Sequence, residues 1–250
     1  MIIEYHRPET IEEALALLSR PAPLTLPLGG GTVLNAPSDD DFAVVDLQKL
    51  GLDKITKKGS ALHIGAAATL QALLEYKDIP EALGKAIRHE AGYNIRQSGT
   101  AAGSLVAADG RSPFAAVMLA LDCKLSWMPE DSENLGEFLP MRGKRVPGRL
   151  ITAVSIPTNV DLAYEYVARS PADLPIVCAA AARWSSGRAR LVLGGYGDAP
   201  LMAVDGNDAN DILPAVENAY STAADQWASA EYRADTAKVL AQRCLDQINS

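Results

Sequence analysis

The stretch Leu24-Thr25-Leu26-Pro27-Leu28-Gly29-Gly30-Gly31-Thr32 places a short apolar run directly before three consecutive glycines. An apolar run that ends in glycines predicts a strand followed by a tight turn. Glycines after a strand let backbone N–H groups come close to an anion, because glycine lacks Cβ and tolerates positive φ. The sequence therefore offers a candidate phosphate-binding loop at this turn.

A second segment of small residues, Gly99-Thr100-Ala101-Ala102-Gly103-Ser104, could form a similar cradle and add the hydroxyls of Thr100 and Ser104. Neither segment matches a standard nucleotide fingerprint. No Gly-Lys-Ser/Thr follows the first glycines, and no Gly-x-Gly-x-x-Gly follows a strand. On spacing alone, ordinary tight turns are the better explanation of both segments, since glycine turns are common.

The segments around these glycines alternate between helical and strand patterns, which is typical of an α+β fold. Thr10 and Glu13 form a capping box, so a helix is predicted to begin there and to end near Ser19-Arg20-Pro21. A loop is expected over 98–105. The remaining patterns predict strands over 42–47, 61–66, 124–127, 150–157 and 189–193, and helices over 69–91 with a break at 78–80, 114–121, 175–183, 212–220 and 230–248.

Composition excludes several classes of function. The 250 residues carry a formal net charge of -8, which would repel a phosphate backbone, so no nucleic-acid partner is expected. The most apolar stretches are far shorter than the roughly 20 residues that cross a bilayer, and no membrane span is expected. The first eight residues acquire charge and proline too early for a signal peptide, which favours a cytoplasmic protein.

The residues that usually carry chemistry are scattered along the chain. Three cysteines and three histidines show no metal-binding spacing, so no metal site is expected, and the cysteines are interpreted as buried thiols. No hydrolase triad is visible either, and no catalytic residue is predicted. Any chemistry would then be carried by a bound group.

Taken together, these motifs resemble the FAD-binding medium subunit of molybdenum hydroxylases, the family of carbon monoxide dehydrogenase and of the flavin domain of xanthine dehydrogenase. The resemblance covers nearly the whole chain. It rests on a series of short motifs: Tyr5-His6-Arg7-Pro8, Glu12-Glu13-Ala14-Leu15, Leu28-Gly29-Gly30-Gly31-Thr32, Val45-Asp46-Leu47, Ile64-Gly65-Ala66, Asn94-Ile95-Arg96-Gln97-Ser98-Gly99-Thr100, Leu119-Ala120-Leu121-Asp122, Arg169 with Asp173, Gly194-Gly195 before Pro200, and Ser229-Ala230-Glu231-Tyr232-Arg233.

The resemblance implies FAD as cofactor, bound at the two glycine segments, with electrons arriving from iron–sulfur clusters on a partner subunit. A third subunit would hold the molybdenum cofactor, and the resulting heterotrimer could itself form a homo-oligomer. Tyr196, in a glycine turn, could stack on the flavin or simply pack. The implied cofactor-binding residues are Leu28, Gly29, Gly30, Gly31, Thr32, Val33, Leu34, Gly99, Thr100, Ala102, Gly103, Ser104, Asp109 and Tyr196.

The resemblance also implies a fold of the vanillyl-alcohol-oxidase-like, molybdopterin dehydrogenase type. An FAD-binding domain over 1–157, with subdomains at about 1–50 and 51–157, would hold the cofactor between its two parts. A smaller α+β domain over 158–250 would contain a three-stranded antiparallel sheet and helices.

Several positions depart from the family pattern. Ala102 replaces a glycine, which would cost about 1 kcal/mol or more if that position required positive φ or a close approach to the phosphate. Pro113 stands where the family commonly has an aspartate facing the flavin ribityl hydroxyls, Gly110 where it has a proline, and Val33 where aspartate or serine is frequent. Asp109 or Ser112 could replace the missing carboxylate.

Two alternatives to a flavoprotein subunit therefore stay open. A degenerate relative would keep the fold, bind FAD weakly or not at all, and serve as a scaffold or assembly component. A binding module for another anionic nucleotide is the third hypothesis. The substrate of the complex and the final electron acceptor leave no trace in this chain.

Overall fold

A computed structural model describes residues 1–37, 39–129, 131–207 and 212–249. The strands are β1 (Ile2–His6), β2 (Thr25–Leu28), β3 (Phe42–Asp46), β4 (Ile55–Lys58), β5 (Ala61–Gly65), β6 (Lys124–Met128), β7 (Asp131–Asn134), β8 (Leu150–Pro157), β9 (Val160–Val167), β10 (Val177–Trp184), β11 (Ala189–Gly194) and β12 (Leu201–Gly206). The helices are α1 (Ile11–Leu18), α2 (Leu70–Leu74), α3 (Glu81–Glu90), α4 (Tyr93–Ser98), α5 (Ala101–Ala107), α6 (Pro113–Ala120), α7 (Leu135–Phe138), α8 (Arg142–Arg145), α9 (Ile212–Ala219) and α10 (Ala230–Asn249).

The chain forms two compact units that interleave along the sequence. The first unit comprises residues 1–76, 93–107 and 124–155, and the second comprises 77–92, 108–123 and 156–250. The predicted domain boundary at residue 157 rests on the sequence alone and does not coincide with the division that these contacts give. It stays a prediction.

The first unit contains two sheets. A parallel sheet has the strand order β1-β3-β2, and its central strand β3 is buried along its whole length. A second sheet has the order β4-β5-β8-β6-β7. The predicted capping of α1 is present, because the Thr10 hydroxyl accepts from the Glu13 N–H at 3.2 Å. Ala14 and Leu18 of this helix pack with Val45 and Leu150 in a shared apolar cluster.

The second unit is built on an antiparallel sheet with the order β12-β11-β10-β9. Alternate residues of β10 pack into the core formed with α9 and α10. Helix α6, in which every residue is buried, also contacts β10 and β11. The sheet is therefore covered on both faces, as expected for a buried β10.

Three predictions of secondary structure are wrong. The alanine-rich stretch at 175–183 is not a helix but becomes β10, because helices on both sides of this strand leave room only for small side chains. The three-stranded sheet that the resemblance implied has four strands. The sequence patterns had predicted only β11 among them as a strand and missed β9 and the edge strand β12. The predicted loop over 98–105 is mostly helix, because the alanines after Thr100 form α5.

Candidate functional site

The first glycine segment follows β2 and lies against the second one. A Cβ on Gly30 would lie 1.6 Å from the Ser98 carbonyl oxygen, and a Cβ on Gly29 would lie 2.6 Å from the Thr100 hydroxyl. Gly31 has φ +69, a conformation that favours glycine. The first two glycines are thus required by close contact between the segments, and the third by its backbone conformation. We call residues 29–34 the first loop and residues 99–104 the second loop.

The first loop presents unused backbone donors. Within the part of the chain that the structure describes, the amides of residues 29–34 donate no hydrogen bond to another protein group. Gly30, Thr32 and Val33 are also exposed. A run of unpaired N–H groups at a turn attracts an anion such as a diphosphate.

The second loop uses its backbone donors within the protein. The amides of Ala101 and Ala102 donate to the carbonyls of Ala68 and Ala66, at 2.8 and 3.2 Å. The Gly103 amide donates to the Thr100 hydroxyl at 3.2 Å, and the Ser104 amide donates to the Thr100 carbonyl at 2.9 Å. The four amides that a cofactor would need here are occupied.

Ala102 is compatible with this geometry. It lies in the first turn of α5, it is absent from the residues with positive φ, and only 7% of it is exposed. Alanine is therefore not costly here through its backbone conformation, and the effect of a close approach to the phosphate stays a prediction. Gly103 is the glycine that the second loop needs, because a Cβ there would lie 2.7 Å from the Thr100 hydroxyl.

Two cavities border the loops within the first unit. One is apolar, measures about 290 Å³, and is lined by the whole first loop and by Thr100, Ala102 and Gly103. The other is more polar, measures about 380 Å³, and is lined by Leu28, by Gly29 to Gly31 and by Thr100. Of the predicted residues in this unit, Gly99 and Ser104 line neither cavity.

Sequence reasoning missed most of the remaining cavity walls. The apolar cavity is closed by residues from β6, from β8 and from the segment before β8: Trp127, Val146, Arg149, Leu150 and Ile151. Strands β6 and β8 pair antiparallel, with Trp127 opposite Ile151, so this wall depends on a long-range pairing. No local motif could have identified it.

The polar cavity contains a buried carboxylate. Asp46, at the end of β3, is 2% exposed and accepts a hydrogen bond from the Tyr5 hydroxyl. This bond is the main cause that raises the pKa of Tyr5. The Arg7 guanidinium lies 3.4 Å from the same carboxylate, and the Gln48 amide donates to it at 2.9 Å. Because Asp46 already has these partners, it can form part of the cavity wall without binding a ligand.

The other predicted site residues belong to the second unit. A Cβ on Gly110 would lie 1.8 Å from the Tyr196 carbonyl oxygen, and the Gly110 amide donates to the Gly197 carbonyl at 2.8 Å. Proline could not make this bond, because it has no N–H. Asp109 is exposed, and its carboxylate accepts from the Arg111 amide at 2.8 Å. The proposed roles of Asp109 and Tyr196 toward the flavin stay predictions.

Ser112 and Pro113 have local structural roles. Pro113 opens α6 and Ser112 caps it, since the Ser112 hydroxyl accepts from the Ala115 amide at 3.0 Å. The same hydroxyl donates to the carboxyl of the half-buried Glu90 at 2.8 Å. Burial raises the pKa of Glu90. The Ser112 hydroxyl is thus committed to Glu90 and Ala115, and its suggested role in place of the missing aspartate stays a prediction.

Two further observations concern single residues from the sequence analysis. Arg169 and Asp173, which form one of the motifs, make an ion pair at 3.6 Å. Cys123, Cys178 and Cys244 are buried free thiols.

The comparison with known protein families gives a match that begins at the first residue of the chain. Residues 1–159 match the family described as the FAD binding domain in molybdopterin dehydrogenase. The chain belongs to this family. The family confirms the resemblance that the motifs indicated, and its cofactor is FAD.

Relatives extend this likeness over almost the whole chain. The chain is 30% identical over 239 residues to the uncharacterized protein YgfM of Escherichia coli (strain K12), covering 93% of this chain and 91% of the relative. It is 29% identical over 279 residues to the carbon monoxide dehydrogenase medium chain of Afipia carboxidovorans, covering 98% and 96%. Membership in a family of oxidoreductase subunits follows from these matches.

Solved structures share the fold. Reconstituted CO dehydrogenase from Oligotropha carboxidovorans superposes with a TM-score of 0.79 at 26% identity, over 98% of this chain and 96% of that one. Quinoline 2-oxidoreductase from Pseudomonas putida 86 gives 0.79 at 22% identity over 100% and 98%, which shows the fold alone. The predicted α+β fold of an FAD-binding subunit is confirmed. None of the helices in the described ranges has the length and hydrophobicity that a membrane span requires.

Proposed function

We propose that this chain is the FAD-binding, electron-transfer subunit of a molybdenum hydroxylase-type dehydrogenase, and that the first loop holds the FAD diphosphate. The observation that carries the proposal is the run of amides from Gly29 to Leu34, which have no partner among the described residues and belong to a loop on the wall of the apolar cavity. Backbone donors neutralise a diphosphate without many cations, which suits a chain with a net charge of -8.

The protein's residues would bind and orient the cofactor. The Thr32 hydroxyl, exposed in the first loop, adds a side-chain donor beside the amides. Thr100 of the second loop and Ser98 just before it hold Gly29 and Gly30 in place, so the donors of the first loop are fixed before any ligand arrives. The flavin itself supplies the redox chemistry when bound, because it accepts electrons one or two at a time.

The partners follow from the same proposal. Relatives are named as the medium chain of carbon monoxide dehydrogenase and as subunit alpha of the 6-hydroxypseudooxynicotine dehydrogenase complex of Paenarthrobacter nicotinovorans. We therefore infer that this chain works within a multi-subunit complex. An iron–sulfur subunit would deliver electrons, a molybdenum-cofactor subunit would oxidise the substrate, and the complex would reside in the cytoplasm.

A titration of the purified chain with FAD tests the proposal, with flavin fluorescence and thermal unfolding as readouts. Saturable binding should raise the melting temperature, because the ligand binds only the folded state. ADP should compete with FAD better than FMN does, since ADP carries the diphosphate that the first loop is proposed to bind. Absence of FAD binding, both by the chain and by its reconstituted complex, would contradict the proposal.

A degenerate scaffold remains the second candidate. It is favoured by Pro113, which opens α6 where the family commonly has an aspartate, and by the commitment of Ser112 to Glu90. A chain that assembles with its partner subunits without taking up FAD would support this candidate. The Pro113→Asp variant would then be the next protein to titrate.

A further inference from the structure

Arg149 is the only charged side chain among the described residues that line the apolar cavity. It lies directly before β8, and 21% of its side chain is exposed. The other side chains on this wall are mostly apolar. A cation beside apolar surface is costly unless an anion or an acceptor pairs with it, so its place on this wall requires a reason.

The guanidinium of Arg149 is held in one position. It lies over the Trp127 ring, 4.4 Å from the centroid, and its Nη2 donates to the Asp131 carboxylate at 2.8 Å. Trp127 is itself buried, and the Phe138 ring packs against it at 5.5 Å. The guanidinium therefore rests on a rigid base, and a ligand that binds it orders little that is not already ordered.

Two nitrogens of the guanidinium remain available. Arginine has five N–H donors, and among the described residues only Asp131 accepts a hydrogen bond from this side chain. Nη1 lies 3.8 Å from Glu133 Oε1, which is too far for a hydrogen bond. Neither Nε nor Nη1 is among the buried polar atoms that lack a partner, so both nitrogens are accessible.

The neighbouring carboxylates leave the charge of Arg149 available to a ligand. The side chain of Asp131 is 52% exposed, so water screens this ion pair and its contribution to stability is small. Glu133 is shared, because the Arg145 guanidinium also lies 3.8 Å from it. Arg149 can therefore keep its contact with Asp131 and accept a second anion.

The surroundings favour a phosphate as that anion. The first loop lines the same cavity, and its amides have no partner among the described residues. The cavity is small, about 290 Å³, so a ligand that fills it meets both the first loop and Arg149. Backbone amides and a guanidinium both donate to phosphate oxygens, and the guanidinium makes the stronger, charge-assisted bond.

We propose that Arg149 is the cationic contact of the FAD diphosphate, donating to a phosphate oxygen from the nitrogens that Asp131 leaves free. The inference rests on the proposed function and adds the one charged side chain on the wall of the apolar cavity. It also implies that the affinity for FAD falls as ionic strength rises, because salt screens an accessible ion pair.

The first test compares Arg149→Met with Arg145→Met. Methionine keeps part of the apolar stem and removes the charge. Arg145 is a matched control, since it faces the same Glu133 but lines neither cavity. Arg149→Met should weaken FAD and ADP by about tenfold and leave adenosine unchanged, whereas Arg145→Met should leave all three unchanged.

Salt dependence separates a charge contact from a packing effect. Added salt should weaken ADP binding to the wild-type protein more than ADP binding to Arg149→Met. Arg149→Lys keeps the charge but not the planar fork, so it should lose about threefold in ADP affinity and retain the salt dependence of the wild type. A residue that only packs would change neither the slope with salt nor the preference for ADP over adenosine.

A measurement on the wild-type protein needs no variant. With ¹⁵N-labelled arginine, ADP should shift the Arg149 Nε signal, and adenosine should not. This result decides the question even if Arg149→Met folds poorly.

The outcomes distinguish this inference from the proposed function. If wild-type protein binds neither FAD nor ADP, both fail. If wild-type protein binds FAD and ADP, but the Nε signal does not move and Arg149→Met keeps wild-type affinity, only the role of Arg149 is overturned. Equal losses for ADP and adenosine, or equal losses with both arginine variants, would also overturn it, because they would indicate a general effect on folding.

Discussion

The two loops have similar composition but opposite hydrogen bonding. The first loop, Gly29 to Leu34, lines a cavity and its amides have no partner among the described residues. The second loop, Gly99 to Ser104, donates amides to Ile95, to the segment after β5 and to Thr100. Small residues alone therefore do not define a phosphate site. We infer that the amides left unpaired after folding define such a site, and among the described residues of the two loops these amides belong to the first loop.

The glycines differ in purpose as well. Gly29 and Gly30 have no room for a Cβ because the second loop lies against them. Gly103 has none because the Thr100 side chain lies against it, and Gly31 is required for its positive φ. We infer that the second loop is a brace that holds the first loop in a binding conformation. The predictions below test this difference between a binding loop and a bracing loop.

Gly30→Ala should have the largest effect. Its Cβ would meet the Ser98 carbonyl, which is backbone and cannot move aside cheaply. We expect the free energy of unfolding to fall by about 3 kcal/mol and FAD affinity to fall by about tenfold or more. Chemical denaturation and FAD titration measure the two quantities.

Gly92→Ala is the control for this change. Gly92 is exposed, has no positive φ, and a Cβ there would meet nothing within 4 Å. Its unfolding free energy should stay within about 0.5 kcal/mol of wild type. If Gly30→Ala behaved like Gly92→Ala, the two loops would not be in the contact described.

Thr100→Val tests the brace. Valine keeps the shape of the side chain but removes the oxygen that accepts from the Gly103 amide. The Gly103 N–H then loses its protein partner, so the unfolding free energy should fall by about 1 kcal/mol. FAD affinity should remain within about twofold of wild type, because the second loop is not expected to bind the cofactor directly.

The exposed Thr56 in β4 provides the matching control. Thr56→Val should change the unfolding free energy by less than about 0.5 kcal/mol. A large loss of FAD affinity in Thr100→Val without a loss of stability would reverse the roles assigned to the loops.

Local signals predicted the first unit better than the second. Three local patterns each span only a few residues, and each predicted the correct element. These are the Thr10 cap, the apolar run before Gly29 and the alternation in β5. The alanines of β10 were predicted to form a helix. They form a strand because they are buried by α6 and α10, which lie far away in sequence. Propensity is a weak guide where tertiary packing decides.

The same contrast holds for the candidate site. Both glycine segments were recognisable from the sequence, but which of them keeps free amides depends on the carbonyls of Ala66 and Ala68, which no motif connects to residue 100. Trp127 and Ile151 become neighbours only through the pairing of β6 with β8. Their position on the cavity wall could not be predicted from local spacing.

Thr32→Val is the counterpart of Thr100→Val on the first loop. The Thr32 side chain is exposed and bonds to no described group, so the unliganded protein should keep its stability to within about 0.5 kcal/mol. FAD affinity should fall by about fivefold, because the hydroxyl is proposed to donate to the diphosphate. Thr56→Val serves again as control. Unchanged FAD affinity would remove Thr32 from the proposed site.

Ala102→Gly should have the smallest effect, and its direction is the informative part. The family pattern has glycine here, so reading the motif alone predicts that restoring it improves FAD binding. In the structure the Ala102 amide is bonded to the Ala66 carbonyl, and the residue has no positive φ. Glycine would therefore add no donor for the cofactor and would only loosen the start of α5, lowering the unfolding free energy by about 0.5 kcal/mol.

FAD affinity of Ala102→Gly should accordingly stay within about twofold of wild type. Ala230→Gly, in the first turn of α10, is the control for a glycine at the start of a helix and should show a similar small loss of stability. A several-fold gain in FAD affinity with Ala102→Gly alone would mean that the cofactor reaches the second loop after all. In that case the second loop would bind the cofactor as well as brace the first loop. The distinction between the two loops would then fail at Ala102, where the family pattern and the hydrogen bonds lead to different predictions.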